Sequence, residues 1–306
     1  MATHPEYTLR QLLSFLEIAR DGSVSRAAER LHLTQPAVSM QLRQLEDAFG
    51  VALVEPSGRN IRLTGAGRDF VDYALKVRGA LKDLEATMAA HIGLGHGRLD
   101  VAVVSTAKYF VPMLLMRFGE LHPGIEVSLK VENREKVVGL LARNEVDMVV
   151  MGRSPAELAC RATSFATNPL AVIAAPSHVL AKRRRVRFDA VAAHEFLVRE
   201  EGSGTRAAMA RLFAEHKATI KVKMELPSNE TIKQAVMAGM GLCFLSLRTV
   251  RHELAAKHLV VLRVPGLPVI GHWYVTCLAS KKLSPAAAAF ESFLVEHGGA
   301  FVDAWA

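Results

Sequence analysis

Ser23-Val24-Ser25-Arg26-Ala27-Ala28-Glu29-Arg30-Leu31-His32-Leu33-Thr34-Gln35-Pro36-Ala37-Val38-Ser39-Met40-Gln41-Leu42-Arg43 decides the fold of the N-terminal part of the chain. Ala27, Ala28, Leu31, Leu33 and Val38 are the small and apolar positions that let two helices cross closely around a tight turn. Ser23 caps the first helix, and Thr34-Gln35-Pro36 restarts the chain as the second, where a proline in the first turn gives up no hydrogen bond. Opposite the packing face, Gln35, Pro36, Ser39, Met40 and Arg43 point outward from a helix sized for the major groove of DNA. Glutamine and arginine pair bidentately with adenine and guanine edges, and Thr34 and Ser39 suit phosphate or base contacts. With Ser23 added at the cap of the first helix, these are the expected contacts to double-stranded DNA.

Upstream, Thr8 caps a helix with apolar Leu9, Leu12, Leu13, Leu16 and Ile18, and Gln11 stands where a capping box places it. Downstream, the helix begun at Gln35 buries Val38, Leu42 and Leu45 and ends at Phe49-Gly50, before a hairpin. A long helix follows, predicted from Arg68 to about His91, within a linker spanning 65–92. Its Phe70, Ala74, Val77, Leu81, Leu84 and Met88 alternate four and three residues apart as a heptad seam, with charges on the other faces, so it is expected to dimerise the chain. Residues 93–97, Gly-Leu-Gly-His-Gly, lack the strand and helix of a dinucleotide-binding turn and read as a hinge.

From Arg98 onward strands alternate with helices. Strands are predicted at Leu99–Ser105, Ile125–Glu132, Asp147–Gly152, Leu170–Ala175, Phe196–Arg199, Ile220–Leu226, Leu242–Leu247, Val260–Val264 and His272–Leu278. Helices are predicted at Tyr109–Leu121, Lys136–Arg143, after Ser203, at Ser228–Ala238 and at Ser284–His297. The pattern is that of a parallel α/β sheet, in two halves with a cleft between them.

Composition narrows the function. The formal charge is +8, yet residues 1–92 hold eleven Lys and Arg against eleven Asp and Glu, so the whole excess lies beyond them. Its densest run, Lys182-Arg183-Arg184-Arg185-Val186-Arg187, reads first as a solvated loop, ahead of a contact with nucleic acid or a phosphorylated ligand. Cys160, Cys243 and Cys277 have no paired spacing, no stretch reads as a membrane span, and Arg10, Glu17 and Arg20 interrupt the first apolar stretch, so a cytoplasmic protein is expected. No Gly-x-Ser-x-Gly elbow, phosphate-binding Gly-x-x-x-x-Gly-Lys loop or His-Glu-x-x-His helix is present, and the twelve histidines are scattered. Neither an enzyme nor a metal or redox cofactor is expected.

Leu9-Arg10-Gln11-Leu12, Ala27-Ala28-Glu29-Arg30-Leu31, Thr34-Gln35-Pro36-Ala37-Val38-Ser39, Gln44-Leu45-Glu46 and Leu63-Thr64-x-Ala66-Gly67 resemble, in order and spacing, the DNA-binding domain of LysR-type transcriptional regulators. The resemblance covers the whole chain. It implies an α/β protein: a mainly helical winged helix-turn-helix over 7–64 with its motif at 24–43, the linker helix, and two α/β effector-binding subdomains of the periplasmic-binding-protein type. The first takes 98–165 with 270–306 and the second 166–269. The wing departs from the family's usual Leu-Phe-x-Arg, having Leu53-Val54-Glu55-Pro56, which leaves the basic backbone contact to Arg59 and Arg62. Residues 197–206 and 228–241 resemble the branch called CbbR, which implies activation of RuBisCO and Calvin-cycle genes; a regulator of another metabolic operon is the alternative. The family also implies a homo-oligomer, a dimer of dimers, acting with RNA polymerase. A two-lobed periplasmic binding protein would match the C-terminal part alone, but lacks a DNA-binding domain.

The expected effector is anionic, a phosphorylated metabolite or a nucleotide such as NADPH. Ser105, Thr106 and Lys108 follow the first strand of the α/β part, where open sheets place ligands. Asn133 and Arg153 follow the next two strands; Ser203, Gly204, Thr205 and Arg206 open one helix of the other half, and Asn229 another.

Overall fold

The computed structural model describes residues 6–58, 60–92 and 97–304, and the chain divides into two compact units meeting between Glu85 and Ala86. In the first unit, α1 (Leu9–Asp21), α2 (Val24–Leu31) and α3 (Gln35–Phe49) precede a hairpin of β1 (Val54–Ser57) and β2 (Asn60–Leu63). The capping box forms: Gln11 N donates to Thr8 Oγ1 at 3.3 Å and Thr8 N to Gln11 Oε1 at 2.7 Å. Ser23 and Thr34 cap α2 and α3 through Arg26 N and Ala37 N. Phe15, Ile18, Ala27, Ala28, Val38, Leu45 and Leu53 form the core of this unit, with both alanines of α2 buried in it.

The family-like Gln44-Leu45-Glu46 and Leu63-Thr64-x-Ala66-Gly67 stretches turn out to fasten the hairpin. Glu46 accepts from Leu53 N at 2.7 Å and Val54 N at 3.2 Å, while Thr64 donates to Ala52 O at 2.8 Å and accepts from Gly67 N at 3.0 Å. Helix α4 therefore begins at Gly65 and runs to Ile92, three residues earlier than the sequence suggests. Its seam divides. Phe70 packs edge-on against Phe15 at 5.1 Å and Phe49 at 5.3 Å, and Ala74 is buried beside Leu12 and Leu16, so both belong to the subunit's own core. Val77, Leu84 and Met88 are exposed, with Leu81 partly covered between them. The expected hinge at 93–96 lies outside the described residues, and Gly97 is the first residue of a strand.

The second unit is built on a seven-stranded sheet, mixed and not parallel throughout. Strands β3 (Gly97–Val104), β4 (Ile125–Glu132) and β5 (Met148–Met151) are parallel, with β3 in the middle. Against β5 runs the antiparallel β11 (Val269–Leu278), and against β11 the antiparallel β6 (Cys160–Ala174). The far end of β6 pairs with β9 (Cys243–Ser246) and β10 (Val260–Val261), so β6 and β11 are the strands that cross between halves. Both are longer than predicted because Asn168-Pro169 carries a loop signal and the exposed ends are polar; the two strands nonetheless pair from Cys160↔Leu278 to Leu170↔Val269. A further parallel pair, β7 (Glu195–Arg199) and β8 (Lys221–Leu226), joins β9 through a bridge at Phe196 and Leu242.

Two cores flank the crossing. One gathers Leu99–Met151 and Phe165–Ala166 with Trp273–Val302, packing α5 (Val111–Leu121), α6 (Arg134–Ala142) and α11 (Pro285–Ala304) on the parallel strands. The other half, from Leu170 to Val264, buries Phe196, Phe213, Leu242 and Val236 beneath α8 (Gly204–Glu215) and α9 (Asn229–Met237). Helix α5 starts two residues later than predicted, after a short turn at Ala107–Tyr109. The sequence reading missed two five-residue helices, α7 (Phe188–Ala192) and α10 (Arg251–Ala255), too short to show a helical period.

Candidate DNA-reading face and effector cavity

On α3 the buried stripe of Val38, Leu42 and Leu45 fixes which face is presented. Gln35, Pro36, Met40 and Arg43 are exposed and Ser39 partly so, on one surface of the helix. Ser23 and Thr34 are engaged as caps, which leaves their hydroxyls a structural role first. Arg62 does not stand free: its Nε donates to Glu55 Oε1 at 2.8 Å across the hairpin, where Glu55 and Arg62 are paired in register. An exposed pair of this kind contributes roughly 0.2–1 kcal/mol, so exchanging it for a phosphate costs little. Arg59 lies outside the described residues.

In the second unit a cavity of about 600 Å³ opens between the halves. The C-terminal ends of β3 and β5 supply Ser105, Thr106, Gly152, Arg153 and Ser154; α8 supplies Ser203, Gly204, Thr205, Ala208 and Arg211; the crossing strands supply Asn168, His272 and Tyr274. Thr106, Ser203 and Thr205 are each more than nine-tenths buried, and among the described residues their hydroxyls have no partner. The Asn168 side-chain oxygen is likewise buried and unpaired. Since Ser203 caps α8 without a side-chain bond, the first N–H groups of that twelve-residue helix also face outward unbonded, at the positive end of its dipole.

Three guanidinium groups complete the lining: Arg134 at the start of α6, Arg153 after β5 and Arg211 on α8. Partial burial in the cleft, with Arg153 and then Arg134 alongside, lowers the proton affinity of Arg211, with Glu215 opposing weakly. Arg134 has a partner in Glu157 at 3.4 Å. Unbonded donors together with three guanidinium groups are the chemistry that can hold a small anion.

Ser105, Thr106, Arg153, Ser203, Gly204 and Thr205 reach the cavity as the sequence suggested. Four expected residues do not line it. Asn133 caps α6 through Lys136 N at 3.0 Å, and the Lys108 ammonium sits over the Tyr109 ring at 5.3 Å. Arg206 turns the other way, to Arg199 O at 2.8 Å and Glu225 at 2.5 Å. Asn229 accepts from Arg199 at 2.6 Å in a buried contact.

Arg199 itself escaped the sequence reading. It is 3% exposed and binds Glu200, Asn229 and, in the other half, Ser105 Oγ at 3.1 Å. Beside it Tyr109 donates to Glu230 across the halves, and buried Lys233 pairs with Glu230 at 2.9 Å and Glu253 at 2.8 Å. Burial pushes the Tyr109 hydroxyl's pKa well up, reinforced by Glu230. Burial would raise that of Glu230, but hydrogen bonds from Tyr109 and Lys233 outweigh it and hold the carboxyl below its ordinary value. These contacts tie the halves together beside the cavity. Arg134 and Arg211 were missed too, although Gly204, Ala208 and Arg211 recur at helical spacing and could have signalled a lined face.

Comparison with known proteins covers both units of the chain. Residues 9–68 match the bacterial regulatory helix-turn-helix proteins of the lysR family, and residues 93–299 match the LysR substrate binding domain. The chain belongs to the LysR family of bacterial transcriptional regulators, and is not an enzyme. It is 45% identical over 290 residues, 95% of this chain and 96% of the relative, to a RuBisCO operon transcriptional regulator of Allochromatium vinosum. It is 44% identical over 294 residues, 96% of this chain and 98% of the relative, to the HTH-type transcriptional regulator CbbR of Rhodospirillum rubrum. Among solved structures, the CcmR regulatory domain of Synechocystis in complex with 2-PG matches with 42% identity and a TM-score of 0.63, covering 66% of this chain and 97% of that one. Among the described residues no helix is long and apolar enough to cross a membrane.

Proposed function

We propose that this protein regulates carbon dioxide fixation genes, gripping promoter DNA with α3 and responding to a phosphorylated metabolite held in the cavity. One observation carries the ligand class: uncommitted hydroxyls and the α8 N-terminus face Arg134, Arg153 and Arg211. A phosphate needs both, donors for its oxygens and charge to replace its hydration. The likeness to the 2-PG-bound domain supports 2-phosphoglycolate as the first ligand to try, with NADPH as the nucleotide alternative. The likeness to RuBisCO operon regulators supports the gene class, and promoter activation through RNA polymerase in the cytoplasm follows from the same reading. We infer also that the two cores act as subdomains, 98–165 with 270–306 and 166–269, whose closure on the ligand shifts the population of DNA-bound assemblies.

Gln35, Ser39 and Arg43 are assigned to base reading. Gel-shift titration of Gln35→Ala and Arg43→Ala against the promoter beside the protein's own gene is expected to show each losing about 1–3 kcal/mol of discrimination over random DNA. Full retention of selectivity in both variants would place the reading face elsewhere.

Val77, Leu81, Leu84 and Met88 are assigned to the contact between linker helices of a dimer, two of which form the tetramer. Leu84 is 54% exposed in the subunit, so Leu84→Asp spares the subunit's own core while removing about 1 kcal/mol of burial per helix from the pair, roughly half of what full burial of a leucine contributes. Sedimentation should show dissociation at concentrations where the wild type is associated; a folded variant with unchanged association would remove the seam.

A further inference from the structure

The densest charge in the chain lies outside both the reading helix and the cavity. Lys182, Arg183, Arg184, Arg185 and Arg187 occupy the segment between β6 and α7, and all are exposed. Three neighbours pin this segment: Leu180, Val186 and Phe188 are buried in the second core. Its backbone is tied as well, Arg183 N donating to Leu180 O at 3.2 Å and Val186 N to Arg263 O at 2.9 Å. Arg263, exposed on the adjoining segment, adds a sixth cation. Arg187 is paired with Asp189, but among the described residues Lys182, Arg183, Arg184, Arg185 and Arg263 engage no carboxylate.

Five neighbouring cations held on a fixed scaffold repel one another, and among the described residues no carboxylate offsets them. A small anion at so exposed a place would keep its hydration and gain little. A polyanion gains more, because duplex DNA carries a charge about every 1.7 Å of its axis and releases condensed counterions for each phosphate neutralised. The N-terminal 92 residues, with eleven basic and eleven acidic side chains, bring no net charge to that exchange; the surplus of +8 lies wholly beyond them.

We propose that the loop 182–187, with Arg263, is a second DNA-contacting surface. It grips the phosphate backbone of promoter DNA beyond the footprint of α3, without reading sequence. The inference rests on the chain being a promoter-binding regulator, and its test separates the two.

Full-length protein and the variant Lys182→Gln/Arg183→Gln/Arg184→Gln/Arg185→Gln are titrated by fluorescence anisotropy over a range of salt. The probes are a fragment of the promoter beside the protein's own gene that extends past the α3 site on both sides, and one trimmed to that site. On the long fragment the slope of log affinity against log salt is expected to shrink by about 0.9 for each phosphate that the variant no longer neutralises, so by roughly 2 to 4. The trimmed fragment is expected to bind both proteins alike, and preference for promoter over random sequence is expected to persist. Charge reversal of the same four residues, Lys182→Glu/Arg183→Glu/Arg184→Glu/Arg185→Glu, should weaken binding to the long fragment further. Equal slopes for variant and wild type on the long fragment overturn the second surface, and so does an equal weakening on both fragments. Failure of the wild type to prefer its promoter would instead overturn the regulator reading.

Discussion

Arg211→Ala is expected to weaken binding of 2-phosphoglycolate by roughly ten- to a hundredfold, the loss of one charge-assisted hydrogen bond at about 1.5–3 kcal/mol. The unliganded protein should not be destabilised. Burial and the neighbouring Arg153 and Arg134 already disfavour the Arg211 charge, so its removal relieves repulsion within the empty cavity. A residue needed only for packing would behave in the opposite way, lowering the melting temperature of the empty protein. Calorimetric titration paired with thermal melting reads both effects. Arg211→Lys is expected to fall between, since an ammonium keeps the charge but not the fork. Undiminished affinity in Arg211→Ala would remove the arginine cluster from the site.

Gly67→Ala is expected to destabilise the DNA-binding unit by about 3 kcal/mol, the upper range for forcing extra atoms into a packed site. A Cβ at Gly67 would stand 2.0 Å from Leu53 O, a backbone atom that the hairpin cannot readily move because Glu46 holds Leu53 N and Thr64 N binds Leu53 O at 3.0 Å. Promoter binding should fall sharply at growth temperature while 2-phosphoglycolate binding, which depends on the other unit, remains. A fully stable, promoter-binding Gly67→Ala protein would contradict the close approach of α4 to the hairpin.

The contrast between these two positions shows what was legible in the sequence. The N-terminal unit could be read nearly residue by residue, because capping residues, small crossing positions and heptad spacing are local signals. Phe70 and Ala74 were the exceptions: spacing placed both on the helix seam, but only packing shows that Phe15 and Phe49 claim Phe70 and that Leu12 and Leu16 claim Ala74. In the second unit the strand and helix order was legible, yet the crossing strands were cut short and the antiparallel pairings could not be foreseen, because sheet direction is set by contacts remote in sequence. The cavity was half legible. Residues directly after strands, Ser105, Thr106 and Arg153, point where such sheets place ligands. Arg134 and Arg211 reach the cavity from helices, and Arg206, five residues before Arg211, turns away because Glu225 and a carbonyl capture it.

The proposed reading couples the cavity to DNA, and linkage makes that coupling measurable from either end. If the ligand changes DNA affinity, DNA must change ligand affinity by the same factor. The decisive measurement is calorimetric titration of 2-phosphoglycolate into the full-length protein, free and bound to its promoter fragment, with glycolate as the control lacking phosphate. The expected result is phosphate-dependent binding whose affinity differs between the two states by about 5- to 150-fold, a coupling of about 1–3 kcal/mol. Identical affinities with and without DNA, or equal binding of glycolate, would contradict the account.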